Sequence, residues 1–320
     1  MIKNLLHNSR FWVAVKIVFL ILFLFYIYSK WESISTENLE VNFQNLTSNS
    51  YFYLWMLVFV VLFGINWFTD TLLWYNVVRN KTTISFYQAF KINLVSHAVG
   101  LVTPANIGEY GIKALSFTEL GKSRQSLLLT FSYRSTKSFV KLAAGLLAMY
   151  MILQSSYPVW SVLLLVALLL LCIVYWFMPQ LLEWVYHHKW GRWIFGDKEV
   201  RNWHFKRSEF LRATIPASVR FLSYSAELAI LVALGTKLNF FNALVRSIST
   251  YSISTFIPSL SVFDPVVKTS VGDMIFTGEN VGIEWVGFCI TTVWFANVGF
   301  PSLIGYLLWM RMKPQTSKRT

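Results

Sequence analysis

The stretch VTPANIGEYGIKALSF, Val102–Phe117, lies between two apolar segments of a chain that is otherwise mostly hydrophobic. Proline breaks a helix, glycine weakens one, and a glutamate and a lysine are costly in hydrocarbon. Membrane depth tolerates such a set only where the interrupted backbone and its charges are buried in protein or line a wet cavity. The fold therefore turns on whether the flanking segments belong to a membrane domain.

Composition answers that they do. Of 320 residues, 55% are hydrophobic, 18% aromatic and only 13% charged, about half the charged share of soluble domains. Apolar runs of spanning length, roughly 20 residues each, occupy Phe11–Ser29, Tyr51–Thr69, Tyr157–Met178 and a long block at Ile283–Met310. The expectation is an all-α polytopic membrane protein.

A net charge of +13 would point to nucleic acid in a soluble protein, but here the basic residues collect in a few polar segments. These hold Lys3 and Arg10; Arg79 and Lys81; Lys122 and Arg124; a run from Lys189 to Arg212; and Arg311 to Arg319. The other loops, Lys30–Ser50 and Val271–Gly282, carry Glu32, Glu37, Glu40, Asp273 and Glu279 against Lys30 alone. This asymmetry follows the positive-inside pattern, placing both termini in the cytoplasm and the chain in the cell (inner) membrane, with no nucleic-acid partner. The first apolar run lacks a small-residue cleavage site and reads as a retained span.

Counting from an inside N-terminus, spans one (11–29) and two (51–77) are followed by an interrupted segment at 84–118. Basic residues flank that segment on both sides, so it enters and leaves from one face. A re-entrant hairpin and two short full spans both satisfy this rule. Spans three (126–152) and four (158–178) lead to a polar segment, 179–213, expected to lie on the inner headgroup surface. Span five (214–235), a second interrupted hairpin at 242–276 and span six (283–310), kinked at Pro301, complete the chain. The order in 1–155 thus recurs from the opposite side in 156–320. About six spans plus two interrupted hairpins form an inverted repeat, an arrangement that in transporters places the substrate site at the breaks.

The hairpins themselves carry this symmetry. Lys91, Glu109 and Lys113 match Arg246, Asp264 and Lys268 at an offset of 155 residues, while Pro104 and Pro258 match at 154. Six charges facing lipid would cost about 15–20 kcal/mol, so they must pair with one another or line a cavity. Gly108 and Gly111 follow the first proline, and the half-helix begun there would aim N–H groups at the break, where an anion is held. Glu109 with Lys113, and Asp264 with Lys268, stand at i, i+4 in the favourable order. They are either structural ion pairs or groups that face a substrate.

Span three adds a cationic face, Arg134, Lys137 and Lys141. The first two can snorkel to the interface, whereas Lys141 lies deeper and calls for a partner such as Glu109 or a phosphate. Arg220 and Glu227 share a face of span five with Tyr224 between them. Asp70, beside Asn66, reads as a structural bridge, and His97 as a satisfied buried histidine. Cys172 and Cys289 lie in apolar runs, and His187-His188 has no partner at metal spacing, so neither metal nor cofactor is expected. No GxxxxGK[ST] stretch supplies an ATP site.

A proline break followed by Gly108-Glu109 and Lys113 one turn on resembles the flippase-like membrane region of lysylphosphatidylglycerol synthases, across about residues 10–310. The resemblance implies a domain that moves a phospholipid, anionic or with a modified head group, between leaflets. Pro104, Gly108, Glu109 and Lys113 would then belong to the functional break. The match is weaker in the second half, where Phe263-Asp264-Pro265 replaces Gly-Glu. Synthases of that family carry a soluble aminoacyltransferase domain after the membrane part, and ten residues follow span six here, so synthase activity is not expected. Three readings stand: a lipid translocase, in which Lys91, Lys113, Lys141, Arg246 and Lys268 receive a phosphate; a lipid-binding scaffold for a separate head-group transferase; and an intramembrane enzyme.

Overall fold

The structure, a computed structural model, describes residues 36–79, 83–103, 106–115, 123–188, 206–257, 263–279 and 281–311. The expected first span, Pro104, Pro258, residues 189–205 of the polar segment 179–213 and the basic tail after Arg311 lie outside the described residues.

The described residues are helical, with no strand among them. In chain order, α1 is Thr36–Ser48, α2 Phe52–Val78, α3 Phe86–Leu101, α4 Ile107–Leu115, α5 Ser123–Leu153, α6 Pro158–Trp176, α7 Met178–His187 and α8 Arg207–Gly235. The second half continues with α9 (Phe240–Ile253), α10 (Asp264–Phe276), α11 (Ile283–Trp294) and α12 (Phe300–Arg311). The last two are joined by a π-helical turn, Phe295–Gly299. Five segments are long and apolar enough to cross a membrane: α2, residues Leu129–Leu153 of α5, α6, α8 and the α11–α12 run. The chain is a helical membrane protein on that footing.

The central helix is α8, which packs against α1, α2, α5, α9 and α11. The core it organises includes Trp74, Leu228, Tyr251 and Trp285, all fully buried. Two close crossings depend on absent side chains. A Cβ on Gly145 of α5 would collide with the Ser252 side chain of α9, and one on Gly305 of α12 with the Leu94 carbonyl of α3. At the first crossing Ser252 Oγ donates to the Lys141 carbonyl at 2.7 Å. By contrast α6 turns most of its apolar side chains outward, as a lipid-facing helix does.

Both interrupted segments are helical hairpins, α3 against α4 and α9 against α10. A capping box starts α3: Gln88 N–H donates to Ser85 Oγ and Ser85 N–H to Gln88 Oε1. Between α3 and α4 Asn106 takes φ 57°, a left-handed conformation that asparagine tolerates better than most residues.

Three expectations need correction. The loop expected at Lys30–Ser50 contains α1, whose Phe43 ring meets Trp285 and Phe288 at 5.5 and 4.7 Å. The polar segment does not extend to 213, because α8 begins at Arg207. Span six departs from α-helical geometry at the π turn just before Pro301.

Candidate functional site

The site grows from one buried carboxylate. Asp70 projects from α2, on the row that also buries Asn66 and Trp74. From α3, Asn93 Nδ2 donates to Asp70 Oδ2 at 2.9 Å and His97 Nε2 lies 3.1 Å from it. From α5, the Tyr133 hydroxyl and Lys137 Nζ donate to Oδ1 at 2.7 and 2.9 Å. From α8, Arg220 Nε lies 2.8 Å from the same oxygen, as an ion pair and not an aligned hydrogen bond. Asp70 therefore ties four helices together. Its exposure is 2%, and a charge so buried is tolerated because it is paired and hydrogen-bonded.

Glu109 is a second hub. On α4 it accepts from Lys113 Nζ at 2.7 Å and pairs with Arg134 of α5. Lys113 is fully buried, its ammonium 4.0 Å from the Tyr133 ring centre and 4.8 Å from that of Trp74. The Arg134 guanidinium stacks on Tyr110 at 4.5 Å. The second hairpin repeats the motif: Lys268 Nζ donates to Asp264 Oδ2 at 3.2 Å and lies 3.5 Å from the Tyr224 hydroxyl.

These groups surround one cavity of about 700 Å³, to which both hairpins contribute. Glu109 and Asn106 come from the first, Asp264, Lys268 and Thr255 from the second. Its walls carry five cations, Arg134, Lys137, Lys141, Arg220 and Lys268, against three carboxylates, Asp70, Glu109 and Asp264. Arg220 lies about 20 Å from either end of α8 at 1.5 Å per residue, so the cavity sits mid-helix. Lys141 faces it with no ion-pair partner recorded among the described residues. A volume of this size suits a small molecule or a lipid head group, and the cation excess suits an anion.

Other candidates fall elsewhere. Lys91 is not in the cavity lining; its ammonium covers the Tyr87 ring at 4.3 Å. Arg246 is also absent from the lining and is bonded to Glu279 and the Ile275 carbonyl. Lys113 stands behind Glu109. The expected pairing of Lys141 with Glu109 is replaced by Lys113 and Arg134. Gly108 N–H donates to Thr103 Oγ1 at 2.8 Å, so that amide is not free for an anion, and Gly111 meets open space. Glu227 binds Asn297 instead of Arg220. Pro104 and Pro258 lie outside the described residues.

The readings of Asp70 as a structural bridge and of His97 as a partnered histidine agree with these contacts. Arg134 and Lys137, read as able to snorkel to the interface, pair instead with Glu109 and Asp70, and sequence reasoning missed Asn297. A buried acid four residues from an asparagine on an apolar span was the available signal for Asp70. Asn297 had none, because its partners are 231 and 70 residues away. Among the described residues no group of three His, Cys, Asp or Glu side chains is placed to hold a metal ion. Comparison of the chain with protein-family models, with curated proteins and with solved structures gave no match.

Proposed function

We propose that the protein is a flippase-like membrane protein of the kind resembled by the membrane region of lysylphosphatidylglycerol synthases. It binds an anionic or aminoacyl-modified phospholipid and moves it between leaflets of the cell membrane. On this reading α3–α4 and α9–α10 are re-entrant hairpins of an inverted repeat, and both termini are cytoplasmic.

The observation that carries the proposal is the shared cavity, where both broken segments meet a surplus of cations at mid-helix depth. Lys141 is the first choice for a phosphate oxygen, because it has no ion-pair partner to give up among the described residues. Lys268 and Arg134 flank it with side chains 12% and 24% exposed. The cavity is head-group sized, so the acyl tails stay in the bilayer while the head group crosses. Asp70 and Glu109 keep the unloaded cavity from carrying an unbalanced cationic field, and they offer a cationic head group an acid to meet.

The test is leaflet exchange of labelled phosphatidylglycerol in vesicles that contain only this protein. Exchange above protein-free vesicles, slowed at least tenfold by Lys141→Ala, is expected. Stoichiometric retention of lipid without exchange would favour the second reading, a lipid-holding scaffold for a separate head-group transferase.

A further inference from the structure

A different buried acid is left over by that scheme. Glu227 on α8 is fully buried. Its Oε2 accepts from Asn297 Nδ2, and its Oε1 has no partner among the described residues. Asn297 sits in the π turn, and its Nδ2 also donates to the Val293 carbonyl at 3.1 Å. Its Oδ1 accepts from Asn66 Nδ2 of α2, and its carbonyl accepts from Trp67 Nε1 at 3.2 Å. Asn66 Oδ1, on a side chain that is itself buried, has no partner either.

Three side chains from α2, α8 and the π turn thus form one chain of hydrogen bonds whose two unused atoms are both acceptors. Each buried acceptor left unmet costs about 1–3 kcal/mol, and an unpaired buried charge costs more. A neutral donor satisfies the oxygens but leaves the carboxylate charge; a cation does both. No described side chain donates to Glu227 Oε1 or pairs with the carboxylate as a salt bridge. The titratable groups that act on Glu227 are Arg220 on its own helix and Tyr251 on α9, the latter in turn beside Tyr224 and Cys289. Arg220 and the α5 side chain Lys137 are held by Asp70, and Lys141 faces the anion cavity. π turns recur at functional sites because they re-aim a side chain and free backbone groups.

We propose that Glu227, Asn297 and Asn66 form a binding site for a small monovalent cation, a proton or a sodium ion. Asn66 and Asn297 also line the main cavity, so the cation reaches the site from that cavity and adds positive charge to its wall. Binding of an anion there and of the cation here then reinforce each other. The coupling rests on the lipid reading above, whereas the cation site rests on its own geometry.

Thermal unfolding of the purified protein in nanodiscs tests the site directly. The comparison is sodium chloride against N-methyl-D-glucamine chloride at equal ionic strength, each across a range of pH, for wild type, Glu227→Gln and Asn66→Ala. A sodium occupant gives a melting temperature that rises with sodium at fixed pH, a response absent from Glu227→Gln. A proton occupant gives no sodium response but a pH-dependent step that Glu227→Gln removes. Either pattern supports the site and names its occupant. Identical sodium and pH responses in wild type and Glu227→Gln overturn it. Should Glu227→Gln fail to fold, Asn66→Ala decides, with a weakened response expected and an unchanged one overturning the proposal. A cation response in a protein that moves no lipid would strike the lipid reading and leave the cation site standing.

Discussion

Replacing Asp70 by asparagine removes the charge on which four helices converge. Lys137 and Arg220 would be left facing an amide, with side chains 21% and 23% exposed. Breaking a fully buried pair costs 3–5 kcal/mol. The partial exposure of both cations discounts this, while two stranded cations instead of one restore part of it. The expected loss is about 3 kcal/mol, or roughly 6 °C at ~2 °C per kcal/mol for a large chain. The unloaded cavity gains one unit of positive charge, so phosphatidylglycerol should bind more tightly and recover more of the lost melting temperature than it adds to wild type. Adding Lys137→Met to Asp70→Asn removes one stranded cation and should regain about half the loss. Melting in nanodiscs, with and without phosphatidylglycerol, reads all three effects. An Asp70→Asn protein that melts with wild type, or a double variant whose losses simply add, would refute the hub.

Two lysines separate ligand binding from stability. Lys141→Gln should leave the melting temperature within about 1 kcal/mol equivalent, since no carboxylate among the described residues loses an ion-pair partner. It should weaken lipid-phosphate binding roughly tenfold or more, the worth of a charge-assisted hydrogen bond. Lys113→Met should do the reverse: it strands buried Glu109 with Arg134 alone, costs about 2–4 kcal/mol in melting experiments and touches no cavity wall. Gly145→Val drives a side chain into Ser252 at the α5–α9 crossing and should destabilise by about 2 kcal/mol or more, whereas Gly111→Ala, which meets open space, should be stable or slightly stabilised. Arg246→Met should lower stability by about 1 kcal/mol through the lost Glu279 pair while lipid binding holds at the wild-type level.

How much of this was legible beforehand depended on the range of the forces involved. Long apolar helices declare themselves through hydropathy, and α2, α5, α6 and α8 lie close to the expected spans. The interruptions were legible because Pro, Gly and paired charges are costly at depth wherever the chain folds. The i, i+4 pairs Glu109–Lys113 and Asp264–Lys268 formed as local helical spacing dictates. What escaped is non-local. Two helices bring Glu109 and Arg134 together, and sequence order cannot say which of several cations wins an acid. Lys91 and Arg246 shared the repeat offset with true cavity residues, yet each found a nearer partner in Tyr87 or Glu279. The α1 helix hid in a polar loop, although Leu39, Phe43 and Leu46 mark one helical face. The capping box Ser85–Gln88 and the Asn239 cap of α9 were likewise readable boundary signals.

The central claim is that both hairpins border one chamber that takes an anionic head group. A photoreactive amino acid placed at Asn106 of the first hairpin and, separately, at Thr255 of the second tests it in native membranes. Val166, exposed on α6, serves as the lipid-facing reference. Mass spectrometry of the adducts should find the same phosphate-bearing lipid at Asn106 and Thr255, enriched over the bulk lipids captured at Val166. Adducts of bulk composition at both sites, or different ligands at the two, would contradict the account.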